Sequence, residues 1–204
     1  MARILITGGA GFIGSNLTQE LVKQGHQVTV YDNLRSGKLE NLAGIPHQFI
    51  KGDVRDYQLL RSVTEGFDFI FHLAALTSVV ESMSKIDECV SINIHGTINV
   101  LKAAHEHKIQ KVIFASSAAV YGDTPELPKN ELMRISPKSP YAITKADGEN
   151  FCRLYSNYFG TPTVCARFFN AFGEKKDPES DYAAVISIII HKAITGQPLI
   201  IYGD

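Results

Sequence analysis

Short apolar runs alternate with helix-spaced segments along the chain. Residues 4–6, 28–31, 47–51, 69–73, 112–115 and 163–167 are brief and mostly apolar, the pattern of strands buried on both faces. Between them, residues 13–24 place Ile13, Leu17 and Leu21 on one helical face and stop at Gly25. Residues 57–65 predict a helix that stops at Gly66, and 92–107 a helix carrying Val100, Leu101 and Ala104. Residues 141–159 predict a long helix closed by Gly160 and Pro162, and residues 185–193 a further one. Alternating strands and helices imply parallel strands with right-handed crossovers, a doubly wound α/β sheet of Rossmann type. From about Asn170 the alternation loosens, and residues 173–178 read as an exposed loop.

Composition narrows the function classes. The chain has 204 residues, 45% hydrophobic and 20% charged, which is globular and argues against disorder. Twenty basic and 21 acidic side chains leave a net charge of -1, with no footprint for nucleic acid or an acidic membrane. Cys89, Cys152 and Cys165 form no CxxC pair, which argues against a zinc site or a disulfide framework. The apolar start is too short for a signal peptide, and residues 185–190 are too few to span a bilayer, so the expectation is a cytoplasmic protein.

The first chemical signal joins strand to helix. Thr7-Gly8-Gly9-Ala10-Gly11-Phe12-Ile13-Gly14 spaces Gly8, Gly11 and Gly14 as GxxGxxG. Glycines permit the tight turn and a close backbone approach to a pyrophosphate, and the helix start adds oriented N–H donors. Asp32 stands 18 residues after Gly14, near the ~20 expected of an acid that binds a ribose. A carboxylate there repels a 2′-phosphate and favours NAD, although Arg35, three residues on, could soften the preference. The alternative is a packing turn with Asp32 as a strand-end cap. Asp53 and Val54 follow the third strand, where they could meet an adenine, or Asp53 could be an ordinary exposed strand end.

The second signal is Tyr141 and Lys145, four residues apart and so on one helical face. An ammonium near a phenol lowers the phenol's pKa and makes it a usable base. Ser116 and Ser117 end the fifth strand, where open α/β sheets bind ligands; their alternative role is to satisfy loop backbone.

Taken in order, the glycine turn, Tyr31-Asp32-Asn33-Leu34, His72-Leu73-Ala74-Ala75, residues 116–122 (Ser-Ser-Ala-Ala-Val-Tyr-Gly), Pro140-Tyr141-Ala142-Ile143-Thr144-Lys145 and Arg167-Phe168-Phe169-Asn170 resemble the extended short-chain dehydrogenase/reductase family, in its nucleotide-sugar 4-epimerase branch. The resemblance implies bound NAD, a UDP-sugar substrate and a homodimer built from the helices over 92–107 and 141–159. It implies Tyr141 as base and acid at the sugar 4-hydroxyl, Ser117 on the 4-oxygen and Lys145 on the nicotinamide ribose. Cofactor contacts are implied for Gly8, Gly11, Phe12, Ile13, Gly14, Asp32, Asn33, Leu34, Ser36, Gly37, Asp53, Val54, Leu73, Ala74, Ala75, Thr77, Asn93, Ser116 and Phe169. Substrate contacts are implied for Ser78, Asn170, Ala184 and Val185, the last two being equally readable as core.

Relatives that dehydrate or decarboxylate their sugars carry acidic residues near Ser117, where this chain has Ala118-Ala119. That favours C4 epimerisation through a transient 4-keto sugar. Another nucleotide-sugar enzyme of the family (reductase, decarboxylase or dehydratase) and a non-catalytic nucleotide-binding regulator are the competing readings. Departures include Ala115 in place of a serine, Glu174-Lys175 in place of Pro-Arg, and Ser187 in place of a proline. The division expected is a cofactor domain over 1–169 and the start of a smaller substrate domain over 170–204. The chains of relatives run on past Tyr202-Gly203-Asp204, so the sequence reads as a piece lacking part of its sugar pocket.

Overall fold

The computed structural model describes residues 1–176 and 185–199. Its contacts divide the chain into Met1–Phe169 and Asn170–Asp204. The first unit runs β1 (Arg3–Thr7), α1 (Phe12–Lys23), β2 (Gln27–Asp32), β3 (Gln48–Lys51), α2 (Tyr57–Thr64), β4 (Phe69–His72), α3 (Val79–Ser84), α4 (Ile86–Val90), α5 (Gly96–Glu106), β5 (Lys111–Ser117), α6 (Pro140–Tyr158) and β6 (Thr163–Phe168). The second unit contains α7 (Val185–Thr195).

The six strands form one parallel sheet in the order β3-β2-β1-β4-β5-β6. The chain starts mid-sheet, winds outward to β3, then returns to place β4 beside β1. The strand order reverses between β1 and β4, which opens a crevice at their carboxyl ends. Strand alternation sorts the core into two layers. Ile4, Ile6 and Val28 pack with Leu17 and Leu21 of α1. On the other face Leu5, Tyr31, Ile70, Val112 and Phe114 pack with Leu60, Leu101 and Cys152.

Local chemistry sets the helix ends. Gly25 takes φ +84° after α1, and its N–H closes on Val22 O at 2.9 Å. The Asp56 carboxylate caps α2 through Leu59 N, and the Ser139 hydroxyl caps α6 through Ala142 N with Pro140 in the first turn.

Three expectations change. The helix predicted over 92–107 is longer: α4, a π-turn over Ser91–His95 and α5 run on from Ile86. The helix α3 was not predicted, because Val79, Val80 and Met83 are exposed and only Ser82 is buried, so it has no apolar stripe to read. β5 also extends two residues beyond the apolar run 112–115, pairing Ser116 with Arg167 and Ser117 with Phe168.

Candidate nucleotide and catalytic site

The glycine turn sits at the crevice between β1 and β4. Gly8 has φ +72°, and a Cβ there would come within 2.6 Å of Ala74 N. A Cβ on Gly14 would lie 2.3 Å from Gly8 O. Both glycines are therefore demanded by the protein's own backbone. Gly11 is different, since a Cβ there would meet only Gly8 O, at 3.3 Å. Its α1 start also has no side-chain cap and no acidic residue in the first turn, which suits an anion. Phe12 and Ile13 are half-buried in that turn.

Asp32 is buried beside the turn, its oxygens accepting from Ala10 N at 3.0 Å and Leu34 N at 2.8 Å. It thus braces the turn, as a cap would, and stands where a ribose-binding acid is expected. Leu34 has φ +62°, and the loop through Ser36 and Gly37 closes with Lys38 N on Ala10 O at 3.1 Å. Arg35 reaches Glu81 at 2.8 Å and Glu88 at 3.2 Å, so its charge is spent on carboxylates. Asp53 accepts from Asn33 at 2.8 Å and pairs with Arg55 at 2.7 Å; the Arg55 hydrogen bonds hold its carboxyl well below the usual range. Val54 lies in the main core against Gly96.

Beyond β4, Leu73, Ala74 and Ala75 are half-buried, with Leu73 N donating to Thr7 O at 3.0 Å. Thr77 is exposed, and Ser78 is buried with its hydroxyl accepting from Glu81 N. Asn93, in the π-turn, is buried: it accepts from Leu76 N at 2.8 Å and donates to Leu76 O and the Thr144 hydroxyl, both at 3.0 Å. A single amide thus ties the loop after β4 to the first turns of α6. His72 is held between Thr7 and Thr97 at 2.7 and 3.0 Å. Because the Thr97 hydroxyl donates to Asn93 O, His72 Nε2 carries the proton towards Thr97 and Nδ1 accepts from Thr7.

Tyr141 and Lys145 share one face of α6, with Lys145 Nζ 5.8 Å from the Tyr141 ring centre. Tyr141 N donates to the Ser82 hydroxyl at 3.2 Å, so α3 fixes the start of α6. The Ser117 hydroxyl accepts from Ala119 N at 3.1 Å and is the neighbour that draws the pKa of the Tyr141 phenol down. Here one expectation is corrected. Burial pushes the Tyr141 phenol above its ordinary pKa, and only Ser117 pulls it down. Lys145 is itself buried, which lowers its pKa to about 8, and its ammonium donates to Ala115 O at 2.7 Å rather than serving the phenol. Desolvation outweighs the charge effect expected from the spacing.

Ser116 is buried and its hydroxyl donates to Glu149. Glu149 in turn is held by Arg167 through Nε at 2.9 Å and Nη2 at 2.7 Å. Ser82, Ser139, Glu149 and the Ala115 carbonyl were not anticipated; Glu149, four residues after Lys145, is the one that helical spacing could have revealed. Phe169 is exposed, its ring 6.3 Å from that of Tyr121. Asn170 is exposed and begins the second unit. Ala184 lies outside the described residues, and Val185 is described only as the start of α7.

The residues fit a dinucleotide: an uncapped helix start, a glycine turn with a single close backbone neighbour over Gly11, and an acid without a competing free arginine beside it. Comparison with known proteins agrees. A UDP-N-acetyl-alpha-D-glucosaminuronate decarboxylase of Bacillus cytotoxicus is 41% identical over 211 residues, covering 99% of this chain and 64% of that protein. A UDP-glucose 4-epimerase of Halalkalibacterium halodurans is 37% identical over 212 residues, covering 98% and 62%. The chain thus spans less than two thirds of the length of these curated relatives. The solved UDP-N-acetylglucosamine 4-epimerase of Methanobrevibacter ruminantium M1, in complex with UDP-N-acetylmuramic acid, superposes with a TM-score of 0.94 at 39% identity, covering 100% of this chain and 66% of that one. Residues 4–204 match the NAD dependent epimerase/dehydratase family, and the chain belongs to that family, whose cofactor is NAD.

Proposed function

We propose that the protein epimerises a UDP-sugar at C4, interconverting UDP-glucose with UDP-galactose or the N-acetylated pair. The observation that carries this reading is a Ser117–Tyr141–Lys145 set at one strand end, with alanine at 118 and 119. Glu149, the carboxylate that touches this strand end, is bound to Ser116 and neutralised by Arg167, so it is not a spare acid for elimination. When bound, NAD supplies a hydride acceptor that can return the hydride to the other face of the same carbon. The glycine turn and Asp32 hold its pyrophosphate and ribose. Ser117 orients the 4-oxygen, and Tyr141 takes and returns the 4-hydroxyl proton. Because burial keeps the phenol protonated, that transfer requires a cation nearer to it than Lys145 now stands. Lys145, tethered to one carbonyl on the same helix face, is the group that can supply it.

Decarboxylation of a UDP-uronate is the second reading, favoured by the 41% identical relative of that name. Incubating the protein with each UDP-sugar and separating the products tests both. Epimer without added NADH is expected; release of carbon dioxide from a UDP-uronate selects the alternative.

The partners proposed are this substrate and a second copy of the chain. An apolar groove on the first unit is lined by Ile86, Val90, Ile94, Pro140, Ile143 and Leu154, on the helices that the resemblance assigns to a homodimer, although it starts at Ile86 rather than 92. Ile86 and Ile143 are 51% and 47% exposed. Light scattering should give a dimer that Ile143→Glu converts to monomer; a wild-type monomer overturns the assignment. Among the described residues no helix is long and apolar enough to cross a membrane.

A further inference from the structure

Lys145 and Glu149 are one helical turn apart on α6, both buried and both turned to the end of β5. Their partners are neighbours in sequence: Lys145 donates to Ala115 O, and Glu149 accepts from the Ser116 hydroxyl. The two side chains carry opposite charges at a spacing that allows an ion pair on one helix face. Yet the ammonium rests on a neutral carbonyl. On β6, Arg167 covers both oxygens of Glu149 at 2.9 and 2.7 Å, in the fork geometry a carboxylate accepts best. Arg167 is itself braced, its guanidinium 4.9 Å from the centre of the Tyr121 ring.

We propose that Arg167 is a positioning residue for the reacting pair: by occupying both oxygens of Glu149 it keeps that carboxylate off Lys145, leaving the ammonium free to turn to a cofactor ribose and to Tyr141. This rests on the reading of Tyr141 and Lys145 as the pair that works at the sugar. The other titratable groups facing Lys145 are His72 of β4, Cys89 of α4, and Tyr141 and Cys152 of its own helix. None of these is a carboxylate; Glu149, one turn further along α6, is the anion whose capture of the ammonium the proposal concerns.

The sign of the effect follows. Burial now lets Lys145 lose its proton near pH 8, so turnover that needs the ammonium falls above that pH. Without Arg167, the unpaired Glu149 carboxylate holds the Lys145 proton and the ammonium with it.

The test is the pH profile of UDP-sugar turnover in the whole protein, with NAD binding and thermal melting followed in parallel. Arg167→Met should lower turnover about tenfold or more while moving the alkaline limb to higher pH. The double variant Arg167→Met/Glu149→Gln should recover most of the turnover and return the limb, because no charge is left to capture Lys145. A merely structural brace predicts the opposite order, with the double variant no better than the single. That result overturns the proposal, as does a limb that stays in place in Arg167→Met. If Arg167→Met does not fold, Arg167→Lys carries the test: it keeps a cation on Glu149, so its limb should match the wild type, and a displaced limb overturns the proposal. Failure of the underlying reading is told apart by Tyr141→Phe, which would then retain turnover.

Discussion

The Lys145 ammonium donates to the Ala115 carbonyl at 2.7 Å, so the strand that carries Ser116 and Ser117 also holds the lysine proposed for the reacting pair. A desolvated ammonium with one neutral partner is a cost to the fold, tolerated where function needs it. Lys145→Met should therefore lower turnover about 10²–10⁴-fold without lowering the melting temperature. A variant that keeps its turnover, or that melts well below the wild type, contradicts this account of the lysine.

Asn93 is expected to be structural in its energetics and functional in its effect. Replacing it by alanine leaves Leu76 N, Leu76 O and the Thr144 hydroxyl without the partner they share. Asn93→Ala should cost about 1–3 kcal/mol in urea unfolding and weaken NAD binding as the loop after β4 loosens. Unchanged stability would show that these groups find other partners.

Cofactor choice divides between Asp32 and the ion pairs of Arg35. Asp32→Ser removes the repulsion of a 2′-phosphate, yet Arg35 stays engaged with Glu81 and Glu88. Adding Glu81→Gln should tighten NADPH binding by a further factor of up to about five, the scale of an exposed ion pair. Fluorescence titration with NADPH measures it. No gain over Asp32→Ser alone would mean that Arg35 does not reach the 2′-position.

His72 predicts a dependence of stability on pH. Burial depresses its pKa from 6.5 to about 3, and it is held neutral between Thr7 and Thr97. Between those values the unfolded chain binds a proton that the folded chain does not. The contribution is therefore complete above pH 6.5 and lost as pH falls towards 3, at up to about 1.4 kcal/mol per pH unit. Denaturant melts at pH 7.5 and 5.5 should show this loss in the wild type and a smaller one in His72→Gln. Equal losses would contradict it.

The sheet was legible because its strands are apolar on both faces and its turns carry glycine. Gly8, Gly11 and Gly14 declare a turn, although only the geometry separates the two glycines whose Cβ would collide with backbone from Gly11, which is less crowded. Spacing alone could put Tyr141 and Lys145 on one face, but it cannot weigh burial against charge, and burial prevails at both residues. The Glu149–Arg167 pair joins α6 to β6 and Ser82 joins α3 to α6; each contact spans elements whose proximity only the fold creates.

The central claim is that one carbon of the sugar gives up its hydride and takes the same one back while Tyr141 handles the proton. A UDP-sugar deuterated at C4, incubated with the protein without added NADH, tests it most directly. The epimer should form with the deuterium still at C4, no NADH should accumulate in solution, and Tyr141→Phe should abolish conversion. Deuterium lost to solvent, or conversion that survives Tyr141→Phe, would contradict the account.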